Sequence, residues 1–113
     1  MKKINFKDVR ATRLDGTKDV EFRPLIAKDM NPPNYYMRLF DISPGGYTPR
    51  HSHAWEHEVY VVEGCGAVLI ADEKTKLVAG DAVFIEPNDM HQFVNDGNAP
   101  LRLICTIPKP VGD

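Results

Sequence analysis

The stretch that decides the fold runs from residue 45 to residue 64 and reads GGYTPRHSHAWEHEVYVVEG. Its second half is rich in β-branched and aromatic residues, which is typical of a strand over 57–63. His51 and His53 stand two residues apart, so in an extended segment both side chains project from the same face. His57 opens the strand and can point back toward that pair. The stretch therefore predicts a strand with histidines gathered at its entrance.

Short predicted strands make up most of the chain. Nine prolines and eight glycines divide it, and no apolar stripe at helical spacing is long enough for a helix. Further strands are predicted at 35–42, 66–70, 82–86, 91–95 and 101–107, with 20–25 as an edge or partner-facing strand. Turns are expected at 43–46, 63–64, 79–81, 86–89 and 95–98. The pattern predicts an all-β sandwich or barrel.

Composition narrows the class of protein. A chain of 113 residues has room for one core, and its net charge is -2 with no basic block that could follow a phosphate backbone. The longest apolar runs are far shorter than the roughly 20 residues of a membrane helix. Charges stand near the start where a signal peptide has its apolar core, and two cysteines cannot form a disulfide framework. We expect one cytoplasmic domain with no nucleic-acid and no membrane partner.

The histidines have competing interpretations. Residues 53–57, HAWEH, match H-x-x-E-H, the inverted zinc-protease signature, which requires a helix. Pro49 upstream and the strand-forming residues downstream favour extended chain instead. A chance surface cluster is the other alternative to a metal site. A barrel brings strand ends from distant positions to one mouth, so His91 can join the three earlier histidines.

The spacing around these histidines resembles the first motif of the cupin family. That motif reads glycine, five residues, His-x-His, three or four residues, glutamate, six residues, glycine. Here Gly45, His51, His53, His57 and Gly64 keep every spacing, with a histidine in place of the glutamate. The chain is thereby similar to small single-domain cupins, with a four-histidine variant of their site.

A later stretch resembles the second cupin motif, which reads glycine, five residues, Pro-x-Gly, two residues, histidine, three residues, asparagine. Gly80, His91 and Asn95 keep that spacing, with Glu86 and Asn88 in place of the proline and the second glycine. Asparagine tolerates a left-handed backbone better than most residues, so Asn88 is a mild departure from the glycine of the motif. The resemblance implies a cupin double-stranded β-helix, a jelly-roll barrel, over 35–113. Residues 1–34 are expected to form an N-terminal segment with an edge strand.

The resemblance implies a divalent metal held by His51, His53, His57 and His91. Glu58 also fits the looser spacing of the first motif, but strand alternation turns it away from the side of His57, so His57 is favoured. We expect one divalent transition metal per chain, Mn or Fe first, with Ni, Zn and Cu as further candidates. A site without a carboxylate is expected to favour anionic ligands such as enolates and carboxylates.

Strand alternation also offers side chains for a substrate pocket. Along 36–40, Arg38 lies either inside the barrel, where it could clamp a substrate carboxylate, or on an exposed face. Along 101–107, Leu103 and Cys105 are expected inside, with Cys105 packing as a small hydrophobe. Trp55 and Phe93 are expected to wall the site. Arg38 and Cys105 are the candidates for a catalytic role.

Within the family, such a site implies dioxygenases, decarboxylases and sugar isomerases. The leading expectation is a metal-dependent oxidoreductase of the dioxygenase kind, which acts on a small anionic or enolisable substrate. The alternatives are a non-catalytic small-molecule or metal-binding module, such as a sensor, and a cupin isomerase or decarboxylase. We further expect a homodimer through the N-terminal segment, because a short barrel would otherwise leave strand edges open.

Overall fold

The computed structural model describes residues 1–110, which form eight strands and two short 3₁₀ helices. The helices are Phe6–Asp8 and Lys28–Met30. The strands are β1 Lys18–Ile26, β2 Tyr35–Tyr47, β3 His57–Glu63, β4 Cys65–Ile70, β5 Glu73–Val78, β6 Ala82–Ile85, β7 His91–Val94 and β8 Leu101–Pro108. Neither described helix has the length and apolar character needed to cross a membrane.

All strand pairs are antiparallel, in the order β5-β4-β7-β2-β8-β3-β6, with β1 added on β2. The sheet curls into a half-barrel, and the predicted all-β single domain is confirmed. Alternation along the strands sends one set of side chains inward. The largest apolar side chains that are fully buried come from β2, β3, β6 and β8: Ile42, Val61, Ile85, Leu101 and Leu103.

The strands predicted at 57–63, 66–70, 82–86, 91–95 and 101–107 are present, with ends that differ by at most one residue. β5 was not predicted. It reads EKTKLV, in which only Leu77 is buried, so it carries no alternation that would mark a strand. Its strand conformation comes from pairing with β4 along its whole length. Cross-strand hydrogen bonds thus override a weak local preference.

The predicted turn at 43–46 is wrong, because β2 continues through it to Tyr47. Residues 35–42 pair with β8, whereas Tyr47 pairs with β7. Between them the amide of Gly45, at φ +82°, donates to the carbonyl of Asn95 at 2.9 Å, and the amide of Asn95 donates to the carbonyl of Gly46 at 3.0 Å. The glycines therefore mark a corner where one strand passes from one neighbour to another. The corner directs the end of β2 toward the segment that carries His51 and His53.

The N-terminal residues belong to the same sheet. β1 pairs with β2 over most of its length. Its other edge makes one isolated bridge, from Phe22 to Thr12, within residues 1–110. Homodimerisation through this segment stays a prediction.

A charged network on the outer face of the sheet holds the start of the chain. Asp41 accepts two hydrogen bonds from Arg102, at 2.7 and 3.2 Å, and one from Arg23 at 3.2 Å. Both guanidinium groups lie over the ring of Phe6, at 4.6 Å for Arg102 and 5.9 Å for Arg23. Bidentate pairing with a carboxylate orients a guanidinium, and the ring of Phe6 then packs on its face. The first 3₁₀ helix is thereby fastened to the sheet.

Gly64 joins β3 to β4 at φ +85°, and a Cβ there would overlap the carbonyl oxygen of Pro100. Gly64→Ala is expected to lower the free energy of unfolding by about 2–5 kcal/mol, since a left-handed penalty of about 1–2 kcal/mol adds to overpacking of about 1–3 kcal/mol. Urea denaturation followed by circular dichroism measures the loss.

Gly80→Ala is the matched control. Gly80 also has a positive φ, +97°, but a Cβ there meets nothing within 4 Å. Its substitution is expected to cost about 1–2 kcal/mol, the conformational penalty alone. Equal losses in the two variants would contradict the steric conflict at Gly64.

Candidate metal centre

Four histidines meet from three parts of the chain. His51 and His53 follow β2, His57 is the first residue of β3, and His91 is the first residue of β7. His51 and His91 exchange two backbone hydrogen bonds, at 3.1 and 2.9 Å. The amide of Asn88 donates to the carbonyl of His53 at 2.7 Å. Backbone contacts between two distant segments therefore set the positions of three of the rings.

The side chains of the four histidines converge. One nitrogen from each ring lies within 4.8 Å of the others, and the Nε2 atoms of His53 and His57 are 2.6 Å apart. Ring centroids of neighbouring pairs are separated by 4.5 to 5.0 Å. Divalent metals take imidazole nitrogens at about 2.0–2.1 Å. Four nitrogens gathered this closely fit around a single ion.

Hydrogen bonds orient the rings. The Nδ1 atoms of His53 and His91 each lie 2.8 Å from a backbone carbonyl, of Trp55 and Asp89 respectively. A carbonyl oxygen only accepts, so each Nδ1 donates and each Nε2 keeps a free lone pair. His57 presents its Nε2 to the same point. In metal sites, a hydrogen bond from the Nδ1 of a histidine to a carbonyl fixes the tautomer whose Nε2 can bind the metal.

The surroundings favour the neutral form of three of the imidazoles. Burial, with the nearby Arg38 guanidinium adding to it, lowers the pKa of His57 to about 3. Burial is also the main cause that lowers the pKa of His51 and of His91. Neutral imidazole is the form that coordinates a metal. Four neutral nitrogen donors suit first-row divalent transition metals, whereas Ca²⁺ and Mg²⁺ prefer oxygen ligands.

A cavity of about 80 Å³ opens beside the histidines. Its polar lining comes from three of the histidines together with Arg38, Thr48 and Cys105. Its apolar lining consists of Leu14, Phe40, Pro49, Val59, Phe93 and Leu103. The volume is small beside the roughly 300–1,000 Å³ of pockets that enclose drug-sized ligands. The cavity therefore holds a small molecule or the head group of a larger one.

Four of the five side chains predicted for the pocket line this cavity: Arg38, Phe93, Leu103 and Cys105. The inward of the two alternatives for Arg38 is the one observed. Trp55 lies elsewhere. It is 49% exposed and stacks on His53, with centroids 4.3 Å apart and planes inclined by 5°. It sits in the loop before β3, where strand alternation does not direct a side chain inward.

Arg38 and Cys105 form a polar pair behind His57. The Nη2 of Arg38 donates to the Sγ of Cys105 at 3.0 Å and lies 3.3 Å from the Nδ1 of His57. That Nδ1 is 2.8 Å from the same sulfur. Burial raises the pKa of the Cys105 thiol, with Arg38 opposing the rise. A thiol kept protonated in this way is a poor nucleophile.

Five residues that line the cavity were not predicted as site residues. The sequence pattern of strand alternation could have identified only some of them. Phe40 shares the parity of Arg38, and Val59 shares that of His57, so alternation places them on the inner face. Leu14, Thr48 and Pro49 lie outside the strands, where no periodicity marks them. The Thr48 hydroxyl is engaged with the backbone of β7.

A sequence model of the family described as Cupin domain matches residues 38–107. The solved structure of the polyketide cyclase RemF from Streptomyces resistomycificus superimposes with a TM-score of 0.89. It is 32% identical, and the match covers 97% of this chain and 80% of that one. The predicted jelly-roll architecture is confirmed by this match.

Curated relatives match over shorter stretches. The tetracenomycin polyketide synthase protein TcmJ of Streptomyces glaucescens is 28% identical over 66% of this chain and 54% of its own length. Gentisate 1,2 dioxygenase 1 of Aquipseudomonas alcaligenes is 37% identical over 58% of this chain and 19% of its own length. The chain thus spans about half the length, or less, of these relatives.

Replacing His57 with alanine is expected to weaken metal binding at least about 100-fold, beyond the 10- to 100-fold that outer-shell substitutions cost. Glu58→Ala is the matched control, since Glu58 is the next residue of β3 and its side chain is exposed, whereas His57 is buried. Titration of untagged, chelator-treated protein with Co²⁺, followed by its visible spectrum, measures both. Loss of binding in Glu58→Ala with retention in His57→Ala would contradict the assignment of His57.

The metal-free protein is expected to lose stability as the pH falls below about 6.5. The pKa of His57 is about 3 in the fold against 6.5 as the ordinary value. Between these values the unfolded chain binds one more proton, so stability present above pH 6.5 is lost toward pH 3. The slope is at most about 1.4 kcal/mol per pH unit for one such histidine. Thermal unfolding of chelator-treated protein at several pH values measures it, and an equally steep dependence in His57→Gln would contradict this origin.

Proposed function

Since this chain belongs to the cupin family, we propose that it is a metal-dependent oxidoreductase that reacts dioxygen with an enolisable small molecule. The observation that carries the proposal is the cluster of four imidazoles beside an apolar cavity whose described lining contains no carboxylate. A metal bound there keeps its full charge, because no ligand offsets it. Such a site attracts an anionic oxygen ligand such as an enolate.

The residues that would hold the metal are His51, His53, His57 and His91. Mn and Fe are favoured, and Ni, Zn and Cu are alternatives. When bound, such a metal supplies a Lewis acid for an enolate oxygen and, if it is redox-active, electrons for dioxygen.

The cavity walls define what the protein itself contributes. Val59, Phe93 and Leu103 line it with apolar surface, which excludes water and strengthens electrostatic interactions inside. Glu56 and Glu58, the acidic residues nearest to His57 in the sequence, are both exposed. The described lining therefore lacks a carboxylate that could act as general base. Substrates that already enolise in water, such as β-diketones and enediols, suit this site best.

A second candidate is a cyclisation or isomerisation that consumes no dioxygen. It is favoured by the 32% identity to the polyketide cyclase RemF over nearly the whole chain. A polyketide chain carries repeated β-dicarbonyl units, so it presents the same enolate chemistry to the same four histidines. Carbon–carbon bond closure then replaces reaction with dioxygen.

The proposal is tested with untagged protein that is stripped of metal and reloaded anaerobically with Fe²⁺ or Mn²⁺. A panel of β-diketones and enediols is then added in an oxygen electrode. Oxygen consumption is expected to depend on both metal and substrate, with both atoms of dioxygen found in the products by ¹⁸O₂ labelling. Loss of this uptake is expected in His57→Ala and not in Glu58→Ala.

The same samples under nitrogen decide among the other functions. Formation of a cyclised or isomerised product without dioxygen would overturn the oxidoreductase proposal in favour of the second candidate. Tight binding of substrate with no turnover under either atmosphere would favour a sensor or accessory module.

A further inference from the structure

The side chain of Arg38 is partly buried, and the protein leaves its guanidinium incompletely paired. Its Nη2 donates to the sulfur of Cys105 at 3.0 Å. Its Nε is fully buried and has no hydrogen-bond partner within residues 1–110. A buried donor left unsatisfied destabilises the protein, and more so when the group is charged. The guanidinium of Arg38 can therefore donate further hydrogen bonds to an acceptor that a ligand brings.

No described acidic side chain forms an ion pair with Arg38. The ion pairs of residues 1–110 involve other arginines and lysines, and Arg38 takes part in none of them. Its sulfur partner, an ordinary thiol, is uncharged near neutral pH. A partly buried cation is stabilised when an anion pairs with it. An anionic ligand in the cavity would supply the compensating negative charge.

Two aromatic rings hold the guanidinium where it is. Its central carbon lies 5.4 Å from the ring centroid of Phe40 and 5.9 Å from that of Phe22. Arginine stacks readily on aromatic faces, and its planar fork matches the two oxygens of a carboxylate. Arg38 also lines the cavity shared with the histidines, and its Nη2 is 3.3 Å from the Nδ1 of His57. One small molecule can therefore reach both the metal-binding point and the arginine.

We propose that Arg38 binds a carboxylate of the substrate, so that the substrate class is enolisable carboxylic acids, such as 2,4-dioxo acids, rather than neutral ketones. This assignment rests on the proposed function of the same site, because the enolate end of the molecule takes the metal. The carboxylate supplies the missing anion, and the two ends together fix the orientation of the molecule in the cavity.

The test compares 2,4-dioxopentanoate with its methyl ester, which has the same dicarbonyl unit but lacks the negative charge. Binding to zinc-loaded protein is measured by calorimetry, so no turnover is needed. The acid is expected to bind on the order of 10-fold or more tightly than the ester, as for hydrogen bonds between charged groups. Arg38→Met retains most of the apolar stem and removes the charge, and it is expected to abolish this preference while the ester binds as before. Arg38→Lys is expected to give an intermediate preference, because it keeps the charge without the fork.

Each outcome has a separate meaning. If wild type binds neither compound, the proposed function fails. If wild type binds acid and ester equally, the role of Arg38 fails and the proposed function stands. A preference for the acid that persists in Arg38→Met would place the carboxylate on the metal and overturn the assignment. Equal weakening of both compounds in Arg38→Met, with reduced zinc content, would show that Arg38 acts only by supporting His57.

Discussion

Two backbone hydrogen bonds between His51 and His91 are the contact on which the site depends. They join the segment after β2 to the start of β7, although the two residues are far apart in the chain. The segment that carries His51 and His53 belongs to no regular strand, so this contact and the bond from Asn88 to the carbonyl of His53 hold it in place. Each such bond contributes only about 1 kcal/mol net. Their main effect is on geometry, because they bring imidazoles from separate segments of the chain to one point.

The electrostatics of the cavity follow from this placement. Burial lowers the pKa of His51, His57 and His91, and the neighbouring Arg38 adds to this effect at His57. The described lining contains a guanidinium and no carboxylate. A divalent metal would add two further positive charges to a space that is otherwise apolar. The cavity is therefore complementary to a metal together with an oxyanion, and its specificity comes from where the two positive centres lie.

Much of this could be read from local patterns, and the failures have physical causes. The strand at β3 and the convergence of His51 with His53 follow from two-residue alternation, which is a property of the chain itself. The strand β5 is set by pairing with β4, since its charged sequence has no inner face. The corner near Gly45 contains turn-forming residues, yet the strand continues because its hydrogen-bond partner changes from β8 to β7.

The sequence by itself determined the all-β class, most strand boundaries and which four histidines stand at the ligand positions of the two motifs, because alternation and spacing are local properties. Only the tertiary structure decided that Arg38 lies inside and that Trp55 stacks outside His53. Alternation divides β2 into two sets of side chains without saying which is inner. That choice is made when β2 pairs with β8 and the sheet curls, so that Arg38 stands beside Cys105. Local alternation leaves two possible inner faces for β2, and long-range pairing selects the one that places Arg38 in the cavity.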